Sequence, residues 1–325
     1  MNLARRALRP LAFPLALAAL LAFAGAAVSS GSDRSSWSGT FTVEERDEPG
    51  RVQLEIRRSG PRGFRFSSSS GVALSDLRGL SPMALKGAGS IAFTLARDAG
   101  TFEFDGDTRG GVGVGRFTFT PNPVFASAFS SKGRTLDEDD VFVAAVHDVS
   151  RAFLDDMAAA GYPDLSWERA IEFRIHGVSS EWLKDLAALG VTPSRGDDPV
   201  AMRIHGVKPE WVKGLVAAGF TDLDAHELVA MRIHGVSLAF VAACQDARIR
   251  GLDADALVAL KIHGATPDFL AELVRLGYAG LDADDVVAMR IHGVSPAFIR
   301  EANEGRSKPL PPEDLVDLRI HGRRR

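Results

Sequence analysis

Cysteine is almost absent from this chain. Cys244 is the only one in 325 residues, so an intramolecular disulfide and a thiolate metal site are both excluded. Its neighbours are apolar and supply no cation that would lower the pKa of the thiol. We therefore predict a buried, unreactive cysteine and a fold that is held together by packing alone.

An excess of positive charge is also missing. The chain has 38 Lys and Arg against 42 Asp and Glu, which gives a formal net charge of -4. Binding to phosphates needs a basic surface, so this balance argues against nucleic acid as the main partner. With 46% hydrophobic residues the composition is typical of a globular protein, and the length is sufficient for two domains.

Long apolar runs are confined to the N-terminus. Three arginines precede an apolar run at 11–24, and small residues follow it. This order predicts a signal peptide over 1–27 and a periplasmic or secreted protein. An uncleaved membrane anchor is the alternative, but the run is short for a bilayer span and Pro14 interrupts it. No membrane span is expected once the signal is removed.

After a Ser/Gly-rich linker at 28–38, apolar and polar residues alternate over 39–121. This period of two predicts a small antiparallel β domain, either a sandwich or a barrel. Turn signals, Asp105-Gly106-Asp107 among them, separate the segments. The predicted strands cover 40–43, 52–56, 63–66, 91–95, 101–104 and 114–119.

Two clusters in the β region have the composition of ligand sites. The glycines of 110–115 lead into a strand, whereas a phosphate loop needs a helix behind it, so we predict a bend or bulge. Asp98, Asp105 and Asp107 could hold calcium near one end of a hairpin, but the turn preference of aspartate explains them. We predict no metal and no cofactor.

The helical region is repetitive. An Ile-His-Gly triplet recurs every 29 residues, and Val146-His147-Asp148 marks a degenerate first unit. Each unit is predicted to be two short helices that must stack, because such helices are marginal alone. The chain therefore reads as an α+β multidomain protein: the β domain, a linker at 122–136, an α-solenoid of about six and a half units at 137–322 and a basic tail at 323–325. An aromatic recurs in phase, at Phe153, Trp182, Trp211, Phe240, Phe269 and Phe298.

A histidine recurs once in every unit. Equivalent atoms in stacked helices lie about 10 Å apart, whereas zinc needs its nitrogen ligands within about 2.1 Å. We therefore interpret the histidines as structural residues that bond free carbonyl groups at helix ends. They are His147, His176, His205, His234, His263, His292 and His321.

A cation precedes each triplet, and we call these residues the cation row. The row could bind an anionic polymer or an acidic peptide, but ion pairing with aspartates of the adjacent unit, such as Asp284 or Asp285, is the simpler interpretation. Trp182 and Trp211 are expected in the core, and they become candidate contacts if they are exposed. The candidate binding cations are Arg203, Arg232, Lys261 and Arg290, and the row also includes Arg174 and Arg319.

No complete catalytic motif is present in the sequence. His226-Glu227 begins a metallopeptidase HExxH motif, but Ala230 stands where the second histidine is required. The serines at 67–70 have no evident base. We therefore expect a protein that is not an enzyme.

The string Val-Ala-Met-Arg-Ile-His-Gly-Val at 229–236 and 287–294 resembles a repeat of uncharacterised bacterial envelope proteins. It is similar to repeats appended to membrane metallopeptidases of the beta-lactam-sensor type. The resemblance covers about 137–322, and the segment at 97–102 accompanies it. It implies an envelope accessory or sensory module. Peptidase activity is not implied, because the membrane domain and the complete zinc motif are missing.

Together these features predict an exported binding scaffold whose solenoid groove binds a peptide, a protein or an envelope component. A hydrolase with its site at the junction of the β domain and the solenoid is the alternative, and a purely structural spacer is a third.

Overall fold

The computed structural model describes residues 37–59, 65–130, 135–193 and 198–322. The predicted signal peptide, most of the first linker and the basic tail lie outside the described residues. From Trp37 onward the chain packs as one unit.

Seven antiparallel strands form one curled sheet, a half-barrel, in the order β3-β2-β1-β7-β6-β5-β4. A run of 15 helices accompanies it, and together they confirm the predicted fold class of a β domain followed by helical repeats. The strands are β1 (Ser38–Glu45), β2 (Arg51–Ser59), β3 (Arg65–Ala73), β4 (Leu77–Arg78), β5 (Ala88–Arg97), β6 (Gly100–Arg109) and β7 (Val112–Pro121).

Most of the large apolar residues of the strands lie on the concave face of the sheet. Phe41, Phe93 and Phe104 contact one another there, with ring centres 4.5 to 5.3 Å apart. Gly113 allows close packing at the same face, since a Cβ atom on it would approach side-chain atoms of Ile91 and Val43 within 3 Å. The outward positions are mostly polar, with the exposed Val112 and Val114 as exceptions, so the sheet buries one side, as the period of two predicts.

Two details of the sheet differ from the prediction. The β6–β7 turn lies at Gly110-Gly111, which have φ of 63° and 89°, whereas Asp105-Gly106-Asp107 lies inside β6. Two consecutive residues with positive φ are typical of a two-residue hairpin, and glycine adopts them at least cost. Strand β3 continues through the serines to Ala73 because β2 supplies hydrogen-bonding partners along its length.

The helices before the array cover parts of the sheet, and those of the array follow in pairs. Helix α2 lies within the segment that was predicted to be a linker. The helices are α1 (Pro82–Lys86), α2 (Pro123–Ser130), α3 (Glu138–His147), α4 (Arg151–Ala159), α5 (Trp167–His176), α6 (Ser180–Ala187), α7 (Asp198–Ile204), α8 (Pro209–Ala217), α9 (Ala225–Ile233), α10 (Leu238–Asp246), α11 (Ala254–Ile262), α12 (Pro267–Arg275), α13 (Ala283–Ile291), α14 (Pro296–Asn303) and α15 (Pro312–His321).

The array has two layers. Odd-numbered helices from α3 to α15 contact one another in sequence, and even-numbered helices from α4 to α14 do the same. Apolar residues of both layers are buried between them, for example Leu270 and Leu273 of α12 and Val286 and Met289 of α13.

Local signals set the helix limits. Ser237 accepts a hydrogen bond from the Phe240 amide at the start of α10, and Asp224 with Glu227 forms a capping box at the start of α9. Asp282 occupies the same N-cap position of α13. Its carboxylate accepts from Arg250, at 2.8 Å, and makes no cap hydrogen bond.

Helix α3 joins the two regions. Although it is the first helix of the array, its Phe142 is fully buried against the rings of Phe102, Phe117 and Phe119 in the sheet. Arg58 of β2 lies 2.6 Å from Asp139 of α3 and covers the Phe142 ring. The first repeat is therefore also part of the core of the half-barrel.

Candidate functional site

Each repeat places its cation over the aromatic ring of the preceding repeat. The guanidinium carbon of Arg232 lies 5.1 Å from the centre of the Trp211 ring, and that of Arg290 lies 4.7 Å from the Phe269 ring. The contact recurs for all six members of the row at 4.7 to 5.4 Å. A cation within about 6 Å of an aromatic face is attracted to it, so the row holds neighbouring repeats together.

The arginines also donate hydrogen bonds to free carbonyl groups at the end of the preceding odd-numbered helix. Arg232 Nε donates to the His205 carbonyl oxygen at 3.3 Å, and Arg174, Arg203 and Arg290 make the equivalent bond at 3.0 to 3.3 Å. Arg174 makes the expected pairing with an aspartate of the adjacent repeat, Asp148. Among the described residues, no ion pair joins the row to Asp284 or Asp285, the two aspartates given as examples. Those aspartates lie in the first turn of α13, whereas the cations lie in the last turns of their helices.

The histidines lie at the helix ends as predicted, but their side chains do not cap the carbonyls. The imidazoles of His205, His234, His263 and His292 are exposed, and at His205 and His263 the arginine of the next repeat bonds the carbonyl instead. His147 differs from them because the sheet covers it. Burial, and secondarily the charge of Arg174, lowers the pKa of His147.

The two candidate tryptophans lie between repeats rather than in an open groove. Trp182 is buried, and its Nε1 donates to the Val207 carbonyl at 3.2 Å. Trp211 is half-buried, and its buried Nε1 has no hydrogen-bond partner among the residues that the structure describes. An arginine lies over each of these rings, so both tryptophans stabilise the contact between neighbouring repeats.

The isoleucines of the triplets, in contrast, are exposed. Between 50% and 58% of each side chain is accessible to solvent, although neighbouring apolar residues of the same helices are buried. They supply half of the large hydrophobic side chains that are exposed in the described part of the chain. We call them the isoleucine row: Ile175, Ile204, Ile233, Ile262, Ile291 and Ile320.

The isoleucine row belongs to a wider apolar band across the odd-numbered helices. In α13, Val287 and Ala288 are half-buried on the side that carries Ile291, and α11 repeats this with Val258 and Ala259. One helical turn separates these positions from the isoleucine, so they share its face. This surface was not predicted from the sequence. The spacing of two residues from buried Met289 to Ile291 corresponds to about 200° on a helix, which indicates that Ile291 faces away from the core.

Polar side chains of two kinds flank this band. At the N-terminal end of the odd-numbered helices, Asp255, Asp284 and Glu313 occupy one exposed position, 29 residues apart. Asp224, Asp253 and Asp282 are the N-cap residues of three of these helices. The exposed histidines line the other end. The isoleucine row is therefore bounded by an acidic edge and a histidine edge.

The junction between the sheet and the array brings together residues that lie far apart in sequence. The Asp98 carboxylate accepts from the Arg151 guanidinium at 2.6 Å and from the Arg151 amide at 2.8 Å. These hydrogen bonds with Arg151 lower the pKa of Asp98. Arg97 lies 3.5 Å from Asp148, which also pairs with Arg174. The segment at 97–102 therefore anchors the array to the sheet.

The catalytic arrangement of a hydrolase is not formed at this junction. Ser68 and Ser70 line the same cavity as His147 and Asp148, so a base does lie near the serines. Among the described residues, however, no hydrogen bond joins either serine to His147. Asp148 pairs with arginines instead of orienting the imidazole.

The remaining sequence candidates occupy structural positions. Asp98 lies in the β5–β6 turn, while Asp105 and Asp107 lie along β6, and no group of metal-ligating side chains was found among the described residues. Burial raises the pKa of the Cys244 thiol to about 12, in agreement with an unreactive cysteine.

The described helices were also compared with the length and apolarity that a membrane span requires. No single described helix meets both criteria, and the one pair that meets them together, α9 and α10, is bent by 90°.

Comparison with known proteins gives no match to any protein family, curated protein or solved structure. The isoleucine row and the junction therefore have to be interpreted from their own geometry.

Proposed function

We propose that the protein is an exported, non-catalytic scaffold that binds a protein partner through the isoleucine row. The observation that carries this proposal is the repeated exposure of one large apolar side chain per repeat. A regular row of exposed isoleucines costs solubility, and these six side chains are not among those packed against the core of the array. A partner that covers the band would remove that cost.

The charge at the edge of the band favours a basic partner. The acidic edge formed by Asp255, Asp284 and Glu313 repels anionic surfaces such as nucleic acid or acidic lipid, and it attracts lysine and arginine. The cations of the row lie in the last turns of these helices, over the aromatic rings, whereas the acidic edge lies at the N-terminal ends.

The spacing of the row favours a helical partner. Packed helices lie about 8 to 10 Å apart, so successive isoleucines are separated by about that distance along the array. Seven residues of an α-helix rise about 10.5 Å. An amphipathic helix lying along the row would therefore present one apolar residue per repeat if its apolar residues recur every heptad.

A binding titration with a synthetic peptide tests this proposal. The probe is a helical peptide of about 28 residues, four heptads, with leucine at the heptad positions and lysine on one flank. We expect it to bind the full chain, and we expect the fourfold variant Ile204→Ser, Ile233→Ser, Ile262→Ser and Ile291→Ser to bind at least tenfold more weakly. Fluorescence anisotropy measures both affinities.

Two controls make the test specific. The double variant Val112→Ser, Val114→Ser removes exposed apolar side chains of the sheet and should bind like the parent chain. A peptide of the same composition with its heptad order scrambled should bind weakly. Equal binding by the fourfold variant or by the scrambled peptide would overturn the proposal. So would self-association of the chain through the row, detected as a dimer that the fourfold variant loses.

An envelope pulldown with the same variants extends the test to natural partners. Point substitutions are preferable to deletion of 137–322, because that deletion would remove α3 from the core of the sheet. The resemblance to envelope proteins supports an accessory role in envelope sensing as part of this proposal. A structural spacer would retain no partner that depends on the row.

A hydrolase at the junction is the second candidate, because Ser68, Ser70 and His147 share a cavity. This candidate function requires that the purified chain hydrolyses an ester or an amide, and that the activity is lost when both serines are changed to alanine. Activity that survives this change, or no activity at all, would eliminate it.

A further inference from the structure

A cavity of about 290 Å³ lies where the free edge of the sheet meets the first repeat. Strand β3 is an edge strand and supplies one wall through residues 68–72. Arg97 of β5, the end of α3 and Arg174 with Ile175 of α5 supply the others. The volume is close to the lower limit for small-molecule sites, which is about 300 Å³.

Hydrogen-bond donors without acceptors line this cavity. Ser68 and Ser70 lie opposite Ile56 and Leu54 of β2, on the concave side of the sheet. Neither hydroxyl has a hydrogen-bond partner among the described residues. Ser69, between them, lies on the outer side and accepts from Gln53 at 2.7 Å. The two inward serines therefore have bonding capacity that the fold leaves unused.

Arg97 adds a buried donor that forms stronger hydrogen bonds than the serine hydroxyls do. Its side chain is 17% exposed, and its Nε is buried without a hydrogen-bond acceptor in the described part of the chain. Its ion pairs are long, 3.4 Å to Asp76 and 3.5 Å to Asp148. A buried guanidinium N–H without an acceptor is costly, so an acceptor at this point would be stabilised.

Charge and shape narrow the class of ligand. Arg97 and Arg174 line the cavity against one carboxylate, that of Asp148, so the lining carries a net positive charge. His147 adds no charge near pH 7, because its pKa is lowered. The rest of the wall is aliphatic: Leu54, Ile56, Val72, Leu95, Val146 and Ile175.

We propose that this cavity binds a carboxylate that is attached to a short branched aliphatic chain. The carboxylate oxygens would accept from Arg97 Nε and from the hydroxyls of Ser68 and Ser70, and the chain would lie against the aliphatic wall. A free short-chain acid and the C-terminal residue of a peptide both carry this chemistry. The site is independent of the isoleucine row.

Calorimetric titration of the full chain tests the proposal. The probes are isovalerate and its neutral analogue isovaleramide, which have nearly the same shape. We expect isovalerate to bind at least tenfold more tightly than the amide, because only the acid satisfies the guanidinium with a charged acceptor. Equal affinity for the acid and the amide would overturn the proposal.

Alternate serines of β3 provide a matched pair of variants. Ser68→Ala with Ser70→Ala should weaken isovalerate binding at least tenfold. Ser67→Ala alters the outer side of the same strand at a residue that does not line the cavity, and it should leave the affinity unchanged. Equal effects of the two variants would contradict the assignment. Arg97→Lys keeps the charge but removes Nε, and it should weaken binding while the thermal melt stays cooperative.

The source of the carboxylate is resolved by a second pair of probes. An N-acetylated tripeptide that ends in leucine is titrated with a free and with an amidated C-terminus. Binding of the free form alone identifies a peptide end as the ligand. Binding of isovalerate but of neither peptide identifies a small acid, and failure of both acids, isovalerate and the free peptide, refutes the site.

Discussion

The half-barrel and the helical array are stabilised in different ways, although they share helix α3. The sheet depends on one aromatic cluster that draws residues from most of its strands, so every part of it needs the others. The array repeats the same local contacts from unit to unit: apolar packing between its two layers, and a cation over the preceding aromatic that recurs six times. A local defect is therefore expected to disable the sheet as a whole but to weaken the array at one interface only.

The largest effect is expected from Phe142→Ala, because this side chain belongs to both regions. Removing a fully buried phenylalanine costs about 3–5 kcal/mol. We expect protection against hydrogen exchange to fall in the sheet and in the first repeats together. Leu273→Ala of α12, also fully buried, is the matched control and should loosen the neighbouring repeats only. Loss of protection in the sheet with Leu273→Ala would contradict the comparison.

Asp98→Asn is expected to have the next largest effect, since it breaks the anchor to Arg151. Loss of several charge-assisted hydrogen bonds at a partly exposed site should cost about 1–2 kcal/mol in the free energy of unfolding near pH 7. The folded-state pKa of Asp98 is lowered, so its contribution is present above the unfolded value of about 3.9 and is lost as the pH falls through the folded value.

Urea denaturation from about pH 7 to about pH 3 measures this dependence for Asp98→Asn. The difference between variant and parent should shrink at the acidic end. A difference that stays constant over this range would show that the anchor does not depend on the carboxylate charge.

A cation substitution probes one interface of the array. Arg232→Ala removes the contact with Trp211 and the bond to the His205 carbonyl, for an expected loss of about 1 kcal/mol. Arg232→Lys should lose less, because it keeps the cation over the ring. Lys261→Arg should stabilise the chain slightly by adding the Nε bond to the preceding helix end. Thermal melts rank the three variants, and an alanine variant as stable as the lysine variant would refute the cation–π role.

The smallest effect on stability is expected from the isoleucine row. Ile233→Ser changes a side chain that is 54% exposed, so the free energy of unfolding should change by no more than about 0.5 kcal/mol. Met231→Ala, two residues earlier and fully buried, should cost about 2–5 kcal/mol. Chemical denaturation of both variants provides the comparison. A large loss with Ile233→Ser would mean that the row supports the fold.

The repeats and most strands could be predicted because their signals are periodic. The 29-residue period, the caps and the terminal glycines are local features, and each can be read in one segment. The limits of β3 could not be predicted, because Ser67 to Ser70 show no apolar alternation and depend on β2 for their hydrogen-bonding partners. The N-cap position of Asp282 shows the same limit, since a local pattern does not reveal that Arg250 binds its carboxylate.

The candidate sites were less accessible to sequence reasoning. Cations and aromatics recur in phase, which was a signal for their contact, but charge suggested aspartates as partners. The cavity at the junction depends on β3, β5, α3 and α5, whose residues lie up to about a hundred positions apart, so no local pattern encodes it.

The contact between cation and aromatic gives the array a direction, because each unit supplies a ring to its successor and a cation to its predecessor. The first unit has no preceding repeat, and it has buried Ala145 at the position of the cation. Any interior unit is consequently interchangeable with a copy of itself. A gene for such a chain can gain or lose whole units of 29 residues and still keep each cation over the preceding ring, whereas an insertion of any other length separates the paired groups.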